Sequence, residues 1–288
     1  MIRPSRRMAW VSALDPAQEP VLNALQSRMT EYYSKSGVYF AEIDFTKDNW
    51  RSELSYLRIA EAAMGATRIL EVGCGRANIL EHYPELEHCY TGVDFSPELA
   101  ASNARRFPKA RFLSGAEGGI SELEPGEFDL VFSVFVLEHC VFPQRALGEW
   151  LRVLEPRGRF ILMCPEFLGS GWITSQRLGF SSGTGREKWA RGDWHDALVT
   201  ALDSRIRMRW KCWWQRSLAR ASPRFLVNLA PVCFEDPFGP DVDAVYVAYG
   251  REIFTWLSGA LCFREDDARF RDYLVRQRLV FVDGRKRS

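Results

Sequence analysis

The chain has 288 residues, of which 47% are apolar and 26% charged, values ordinary for a globular protein that can bury a core of its own. The 38 Lys and Arg residues nearly balance the 37 Asp and Glu residues, and the net charge of +1 gives no overall field that favours nucleic acid or an acidic substrate. No apolar run approaches the roughly 20 residues that a transmembrane helix needs.

The cysteines and histidines argue against a metal site. The seven cysteines are scattered and never spaced as CxxC, and none of the four histidines has another histidine four residues away. Scattered cysteines of this kind are typical of reduced thiols. We therefore expect a cytoplasmic protein without a metal ion.

Residues 1–65 are predicted to form a helical N-terminal extension. The apolar positions of NWRSELSYLRIAEAAMG recur near the 3.6-residue period of a helix, and Gly65 suits the C-terminal end of that helix.

From residue 67 onward, short apolar runs alternate with helical stretches. The runs are TRILEVGC, CYTGVDF, ARFLSG, FDLVFSVF and GRFILMCP, and the stretches between them include PELAASNARRF and PQRALGEWLRVLEP. Strands that alternate with helices form βαβ units, and strands that are apolar throughout are buried on both faces. Residues 66–166 are therefore predicted to be the core of an α/β fold, with a doubly wound, mostly parallel sheet and helices on both of its faces.

Residues 167–240 break this rhythm and hold six of the ten tryptophans together with many arginines. This block is predicted to be a helical lid or acceptor-binding insertion over the C-terminal edge of the sheet, where α/β proteins place their ligands. Residues 241–288 are expected to complete the core, with DAVYVAY as a strand, GREIFTWLSG as a helix and RLVFVD as a final edge strand.

A glycine turn gives the strongest local signal for a ligand. In ILEVGCGRANIL, residues 69–80, a buried strand runs into Gly73-Cys74-Gly75 and then into a helix. Glycines at such a turn let the backbone approach a ligand, and the following helix N-terminus offers free N–H donors. A dinucleotide fingerprint requires a third glycine where Asn78 stands, which disfavours NAD.

Asp94 ends the strand YTGVD about twenty residues after this turn. A carboxylate at this place can accept both hydroxyls of a ribose. The structural alternative is a strand-end aspartate that caps the helix beginning near Ser96.

Five motifs in order, LEVGCG, VDFSPE, LSGAEG, FDLVFSVFVLEH and LRVLEPRGRFIL, resemble the class I methyltransferases that use S-adenosylmethionine (SAM). The resemblance covers roughly residues 65–165. It implies a sheet of seven strands, one of them antiparallel near an edge, and SAM as cofactor with S-adenosylhomocysteine (SAH) as product. One departure is Ala77, where the family usually has a glycine. We expect this alanine to narrow the turn without abolishing SAM binding.

The resemblance also assigns cofactor-binding residues. It places Glu71, Gly73 and Gly75 at the methionine part of SAM, Asp94 at the ribose, Phe95, Ala116 and Glu117 at the adenine, and Ser133 and Val134 beside the sulfonium. Cys74, within the glycine turn, is counted among the cofactor-binding residues as well.

Two histidines are candidates for a general base. His139 follows the fourth strand of the motif series, and His195 lies between two carboxylates in GDWHD. A neutral imidazole can take a proton from an attacking hydroxyl. Each has a structural alternative, local packing for His139 and an exposed polar loop for His195. Asp241, Asp243 and Tyr246 are further candidates for contacting the acceptor, with an ordinary strand as the alternative.

The segment 205–225 carries seven Lys and Arg residues, no acid, and Trp210, Trp213 and Trp214. A basic helix with interfacial tryptophans is typical of peripheral contact with an anionic membrane, or of a grip on an anionic or amphiphilic small-molecule acceptor. Stacking on single-stranded RNA is another alternative, but no RNA-binding fold is visible, which disfavours nucleic acid. The structural alternative is an amphipathic lid helix whose tryptophans pack on the core.

These features together predict a SAM-dependent methyltransferase. The expected acceptor is a small molecule, methylated on a hydroxyl oxygen of a sugar or natural product, with N- or C-methylation as the alternative. A SAM-binding module without turnover and a nucleotide-binding oxidoreductase are the rival classes.

Overall fold

The computed structural model describes residues 8–12, 19–35, 49–114, 120–167, 183–207, 210, 213, 224–234 and 243–288. The chain divides into two compact units. The sheet unit consists of residues 28–137, 143–164 and 253–288, and the tryptophan-rich unit consists of residues 1–27, 138–142 and 165–252. Seven of the ten tryptophans belong to the second of these.

Nine strands lie within the described residues. They are β1 (Met8–Ser12), β2 (Ile69–Val72), β3 (Tyr90–Asp94), β4 (Arg111–Ser114), β5 (Phe128–Val134), β6 (Leu154–Pro165), β7 (Arg224–Asn228), β8 (Leu261–Phe263) and β9 (Leu279–Lys286). Nine α-helices are described as well: α1 (Glu19–Lys35), α2 (Leu54–Met64), α3 (Asn78–His82), α4 (Pro97–Arg106), α5 (Pro143–Val153), α6 (Gly185–Ala190), α7 (Trp194–Leu202), α8 (Gly250–Leu257) and α9 (Ala268–Gln277).

The sheet unit is built on seven strands in the order β4-β3-β2-β5-β6-β9-β8. The pairs β3–β4, β2–β3, β2–β5 and β5–β6 are parallel, and β8–β9 is antiparallel. This confirms the predicted α/β fold with a mostly parallel seven-stranded sheet. The parallel strands point their carboxyl ends to one edge, which is where α/β proteins bind ligands.

Burial explains why these segments form strands and helices. Every residue of β2 and β3 is buried, as expected for central strands covered on both faces. Helices α2, α4, α5 and α9 contact strands of the sheet. Helix α2 ends next to Gly65 as predicted, and α4 begins with the Ser96 hydroxyl as N-cap and Pro97 as first residue.

Two expectations about the C-terminal region were wrong. RLVFVD is not an edge strand, because β9 lies between β6 and β8, and the short strand β8 forms the edge. DAVYVAY is not a regular strand either: it makes one isolated bridge, between Tyr246 and Val227, although residues 243–248 are buried. The apolar residues of this segment are buried without strand pairing, and their apolar character is what made the sequence resemble a strand.

The tryptophan-rich unit contains a two-stranded antiparallel sheet of β1 and β7. The N-terminal extension is therefore not helical throughout, and residues 224–228 are a strand where the sequence suggested the end of a basic helix. Helices α6 and α7 belong to the same unit and contact each other. In the part of the chain that the structure describes, no helix is long and apolar enough to cross a membrane.

Candidate cofactor-binding site

The glycine turn closes over the carboxyl end of β3. The backbone N–H groups of Gly73 and Cys74 both donate to the carbonyl oxygen of Val93, at 2.8 and 3.0 Å. Gly73 and Gly75 have φ angles of 70° and 51°, in the left-handed region that glycine adopts without strain. A Cβ atom on Gly73 would overlap Cγ2 of Val136, so this position has no room for a side chain.

Ala77, which stands where the resemblance leads one to expect a glycine, has a left-handed φ of 54°. It precedes helix α3 as its N-cap residue and is fully buried. This left-handed conformation costs alanine roughly 1–2 kcal/mol.

Asp94 joins the turn to the end of β3. Its Oδ2 accepts a hydrogen bond from the N–H of Gly75 at 2.9 Å, and its Oδ1 accepts one from the N–H of Ser96 at 3.0 Å. The cap of α4 is the Ser96 hydroxyl, which accepts from Leu99 N–H, so Asp94 is not the capping residue. Each carboxylate oxygen has a second lone pair, which leaves Asp94 able to accept ribose hydroxyls. Burial raises the pKa of Asp94.

Glu71 and Tyr90 form a buried pair beneath the turn. The Tyr90 hydroxyl donates to Oε2 of Glu71, and both side chains are at most 5% exposed. Burial raises the pKa of Glu71 to about 8, because a carboxylate is poorly solvated there, and the nearby Asp94 raises it further. A cationic group placed beside Glu71 would restore the carboxylate.

The Cys74 side chain packs into the core. Its Sγ atom lies 2.8 Å from the place where a Cβ on Gly92 would stand, and burial raises the pKa of the thiol. Its backbone is bonded within the turn, since its N–H donates to Val93 and its carbonyl accepts from Ala77. These contacts favour a packing role for this residue of the predicted set.

An aromatic pair stands at the end of β3. The rings of Phe95 and Tyr33 stack with centroids 5.8 Å apart and an angle of 21° between their planes. Tyr33 is 4% exposed and lies near the C-terminal end of α1. Sequence reasoning missed Tyr33, because 62 residues separate it from Phe95 and no motif includes it.

Ser133 and Val134 lie at the carboxyl end of β5, next to β2. The Ser133 hydroxyl donates to the carbonyl oxygen of Val72 at 3.0 Å and is fully buried, so it joins the two strand ends. Phe135 follows with a left-handed φ of 56°, and its N–H donates to Met163 on β6. The predicted adenine contacts Ala116 and Glu117 lie outside the described residues.

The predicted base His139 belongs to the tryptophan-rich unit and contacts two acidic residues there. Its Nδ1 lies 3.3 Å from the Asp243 carbonyl oxygen and 3.6 Å from the carboxylate oxygen Oδ2 of Asp243. Its Nε2 lies 3.9 Å from Oε1 of Glu138. Among the described residues, no group of three His, Cys, Asp or Glu side chains could hold a metal ion.

His195 is exposed on the first turn of α7, so GDWHD begins a helix. The neighbouring carboxylates have other partners: Asp193 caps the helix by accepting from Asp196 N–H, and Asp196 pairs with Lys188 at 2.7 Å. Tyr246 is fully buried and donates to Glu252, while Asp241 lies outside the described residues.

A scan against family models matches residues 70–162 to a methyltransferase domain. This range contains the glycine turn, the Asp94 carboxylate that binds it, and the end of β5. Residues 70–162 form a class I SAM-dependent methyltransferase domain. The family and its cofactor are therefore those that the motif series implied.

Curated relatives match parts of the chain. A ubiquinone biosynthesis O-methyltransferase of Psychrobacter arcticus is 24% identical over 165 residues, which are 52% of this chain and 63% of the relative. A demethylmenaquinone methyltransferase of Renibacterium salmoninarum is 30% identical over 108 residues, 36% of this chain and 45% of the relative. The chain thus spans less than two thirds of the length of these relatives.

Among solved structures, a 1,6-didemethyltoxoflavin-N1-methyltransferase of Burkholderia thailandensis is similar over 100% of this chain and 98% of its own, with 19% identity and a TM-score of 0.48. A SAM-dependent methyltransferase of Aquifex aeolicus is similar over 85% of this chain and 97% of its own, with 13% identity and a TM-score of 0.46.

Proposed function

We propose that the protein transfers the methyl group of SAM to a hydroxyl oxygen of a small organic acceptor such as a sugar or natural product. The observation that carries the proposal is the buried carboxylate of Asp94, which accepts a hydrogen bond from the glycine turn at the carboxyl ends of β2 and β3. The choice of oxygen is supported by the matched relative from Psychrobacter arcticus, which is named an O-methyltransferase.

The residues around Asp94 and the glycine turn fit the parts of SAM. The glycine turn at Gly73 and Gly75 offers its backbone to the methionine part, and Glu71 offers a carboxyl group to its ammonium. Asp94 accepts the ribose hydroxyls, and the Phe95–Tyr33 pair offers an aromatic face to the adenine. Ala116 and Glu117 complete the adenine contacts, and Ser133 and Val134 border the sulfonium. The remaining predicted residue, Cys74, supports the turn by packing.

SAM supplies an activated methyl group when bound, so the chain's own residues must position the acceptor and remove its proton. His139 has the stronger case of the two proposed bases. Its Nδ1 faces the carbonyl of Asp243, which favours the tautomer with a proton on Nδ1, in which Nε2 is the basic nitrogen. His195 is the second candidate, with a weaker case because its neighbouring carboxylates are bonded elsewhere.

The proposed cofactor binding is tested by measuring the affinity of the Asp94→Asn variant for SAH by calorimetry. Asparagine keeps one acceptor for the backbone but loses the charge, so we expect affinity to fall by about tenfold or more, since a hydrogen bond to a charged group contributes about 1.5–3 kcal/mol. Asp129→Asn is the matched control, because Asp129 also accepts backbone N–H groups, from Thr67 and Arg68, at the other end of a strand. Unchanged affinity in Asp94→Asn, or an equal loss in the control, would contradict the ribose assignment.

The acceptor half is tested by methyl transfer from labelled SAM to a panel of small phenols, sugars and amines. We expect a methyl ether, identified by mass spectrometry and NMR. A methyl group on nitrogen or carbon would overturn the choice of oxygen. Tight SAH binding without transfer to any member would favour a binding module. His139→Gln and His195→Gln identify the base: full turnover in either variant removes that histidine from the role.

A further inference from the structure

Helix α7 in the tryptophan-rich unit has its large apolar side chains on the outside. Trp194, Leu198 and Leu202 are 64%, 59% and 46% exposed, and their spacing of four places them along one side of the helix. The buried side carries the small residues Ala197 and Thr200. A helix that packs on a core normally shows the opposite pattern, with its large apolar residues inside.

The exposed row continues beyond both ends of α7. Ile206 is 61% exposed one turn further along, and Trp189, also 61% exposed, stacks on Trp194 with centroids 5.7 Å apart. We call Trp189, Trp194, Leu198, Leu202 and Ile206 the exposed stripe. From Trp194 to Ile206 it is about 18 Å long at the rise of a helix.

This stripe is costly to leave in water. Burying large apolar side chains is favourable, and contiguous exposed apolar surface marks an interaction site more often than scattered single residues do. Within the part of the chain that the structure describes, the small-residue side of the helix is covered and the stripe is not.

Charge indicates what that partner is. At the N-terminal end of the stripe the acids have local partners, since Asp196 pairs with Lys188 and the Glu187 side chain completes a capping box with Thr184. At the C-terminal end, Arg205 is exposed, and residues 205–224 contain seven Lys and Arg and no acid. Trp210 and Trp213, 63% and 61% exposed, fall within this basic segment.

We propose that the exposed stripe, with Arg205 at its C-terminal end, binds the surface of an anionic lipid bilayer. A helix that lies in the interface places its apolar side chains among the acyl chains and its cations among anionic headgroups, with tryptophan at the boundary. A protein partner would need matching acids around an apolar groove, whereas a bilayer supplies both features over any length. The proposal does not depend on the cofactor or on methyl transfer.

Vesicle flotation of the full chain tests it, with phosphatidylcholine vesicles that either contain or lack phosphatidylglycerol. We expect the protein to float with the anionic vesicles and to be released as salt is raised. Leu198→Ser/Leu202→Ser/Ile206→Ser should lower the bound fraction about tenfold, as expected from the loss of apolar anchoring area. The matched control is Val21→Ser/Met64→Ser/Val275→Ser, which removes three apolar side chains exposed elsewhere and should bind like the parent.

Thermal melts establish that both triple variants are folded. Flotation with both vesicle types alike, with neither type, or undiminished in the stripe variant would overturn the proposal. Light scattering without lipid tests the alternative that the stripe binds a second copy of the chain. A concentration-dependent dimer that the stripe variant abolishes would assign the surface to self-association and would overturn the proposal.

Discussion

Glu71 is a carboxyl group at a strand end where almost no water reaches it. Burial raises its pKa to about 8, and its Oε2 accepts the Tyr90 hydroxyl. In the free protein it is therefore largely protonated at neutral pH. A cationic ammonium beside it favours the carboxylate, so the bound state has a lower pKa than the free state. Ligand binding and proton release are then coupled.

We predict that SAH affinity rises with pH between about 6 and 7.5, by up to about tenfold per pH unit. At the upper limit the ligand's own amino group is still mostly protonated, since the pKa of an α-amino group is about 7.7–8.0. Calorimetry in two buffers of different ionisation enthalpy should register a proton released on binding. Glu71→Gln should bind more weakly and lose the pH dependence. A flat profile for the parent protein would place the ligand's ammonium away from Glu71.

At the scale of elements, the site depends on two loops that contact each other. The loop after β2 contributes Gly73, and the loop after β5 contributes Val136, whose methyl groups occupy the space that a side chain on Gly73 would need. Ser133 and Asp94 hold the same strand ends by hydrogen bonds to Val72 and Gly75. The site is therefore a property of adjacent strand ends in a parallel sheet.

Gly73→Ala should strain this contact through both its φ of 70° and the clash with Val136. We expect a loss of about 1–3 kcal/mol in the free energy of unfolding and at least a tenfold weaker affinity for SAH. Adding Val136→Ala should recover part of the stability, because it removes the clash and leaves the backbone strain. Gly148→Ala, with no atom near its new methyl group, is the control that should bind normally. Normal SAH binding by Gly73→Ala would show that the turn tolerates a side chain.

At the scale of the molecule, two surfaces lie in two different units. The glycine turn and Asp94 belong to the sheet unit, and the exposed stripe belongs to the tryptophan-rich unit. If one binds SAH and the other binds lipid, each ligand should protect its own part of the backbone, because protection follows local opening.

Hydrogen exchange tests this division. SAH should slow exchange in residues 69–77 and 90–96 and leave residues 185–206 unchanged. Phosphatidylglycerol-containing vesicles should do the reverse. Protection of both regions by SAH alone would show that the units respond together, and the two proposed surfaces would then have to be treated as one.

The sequence alone determined the sheet unit and the cofactor class. Each of the five apolar runs is a strand, and the glycine turn and Asp94 lie at strand ends as predicted. These features could be predicted because the spacing of apolar residues and the turn-forming residues are local properties of the sequence. The tertiary structure decided the rest. It stacked Tyr33 on Phe95, placed β9 inside the sheet, and turned the large apolar side of α7 outward. These depend on which distant segments cover a surface, and neighbouring residues do not encode that.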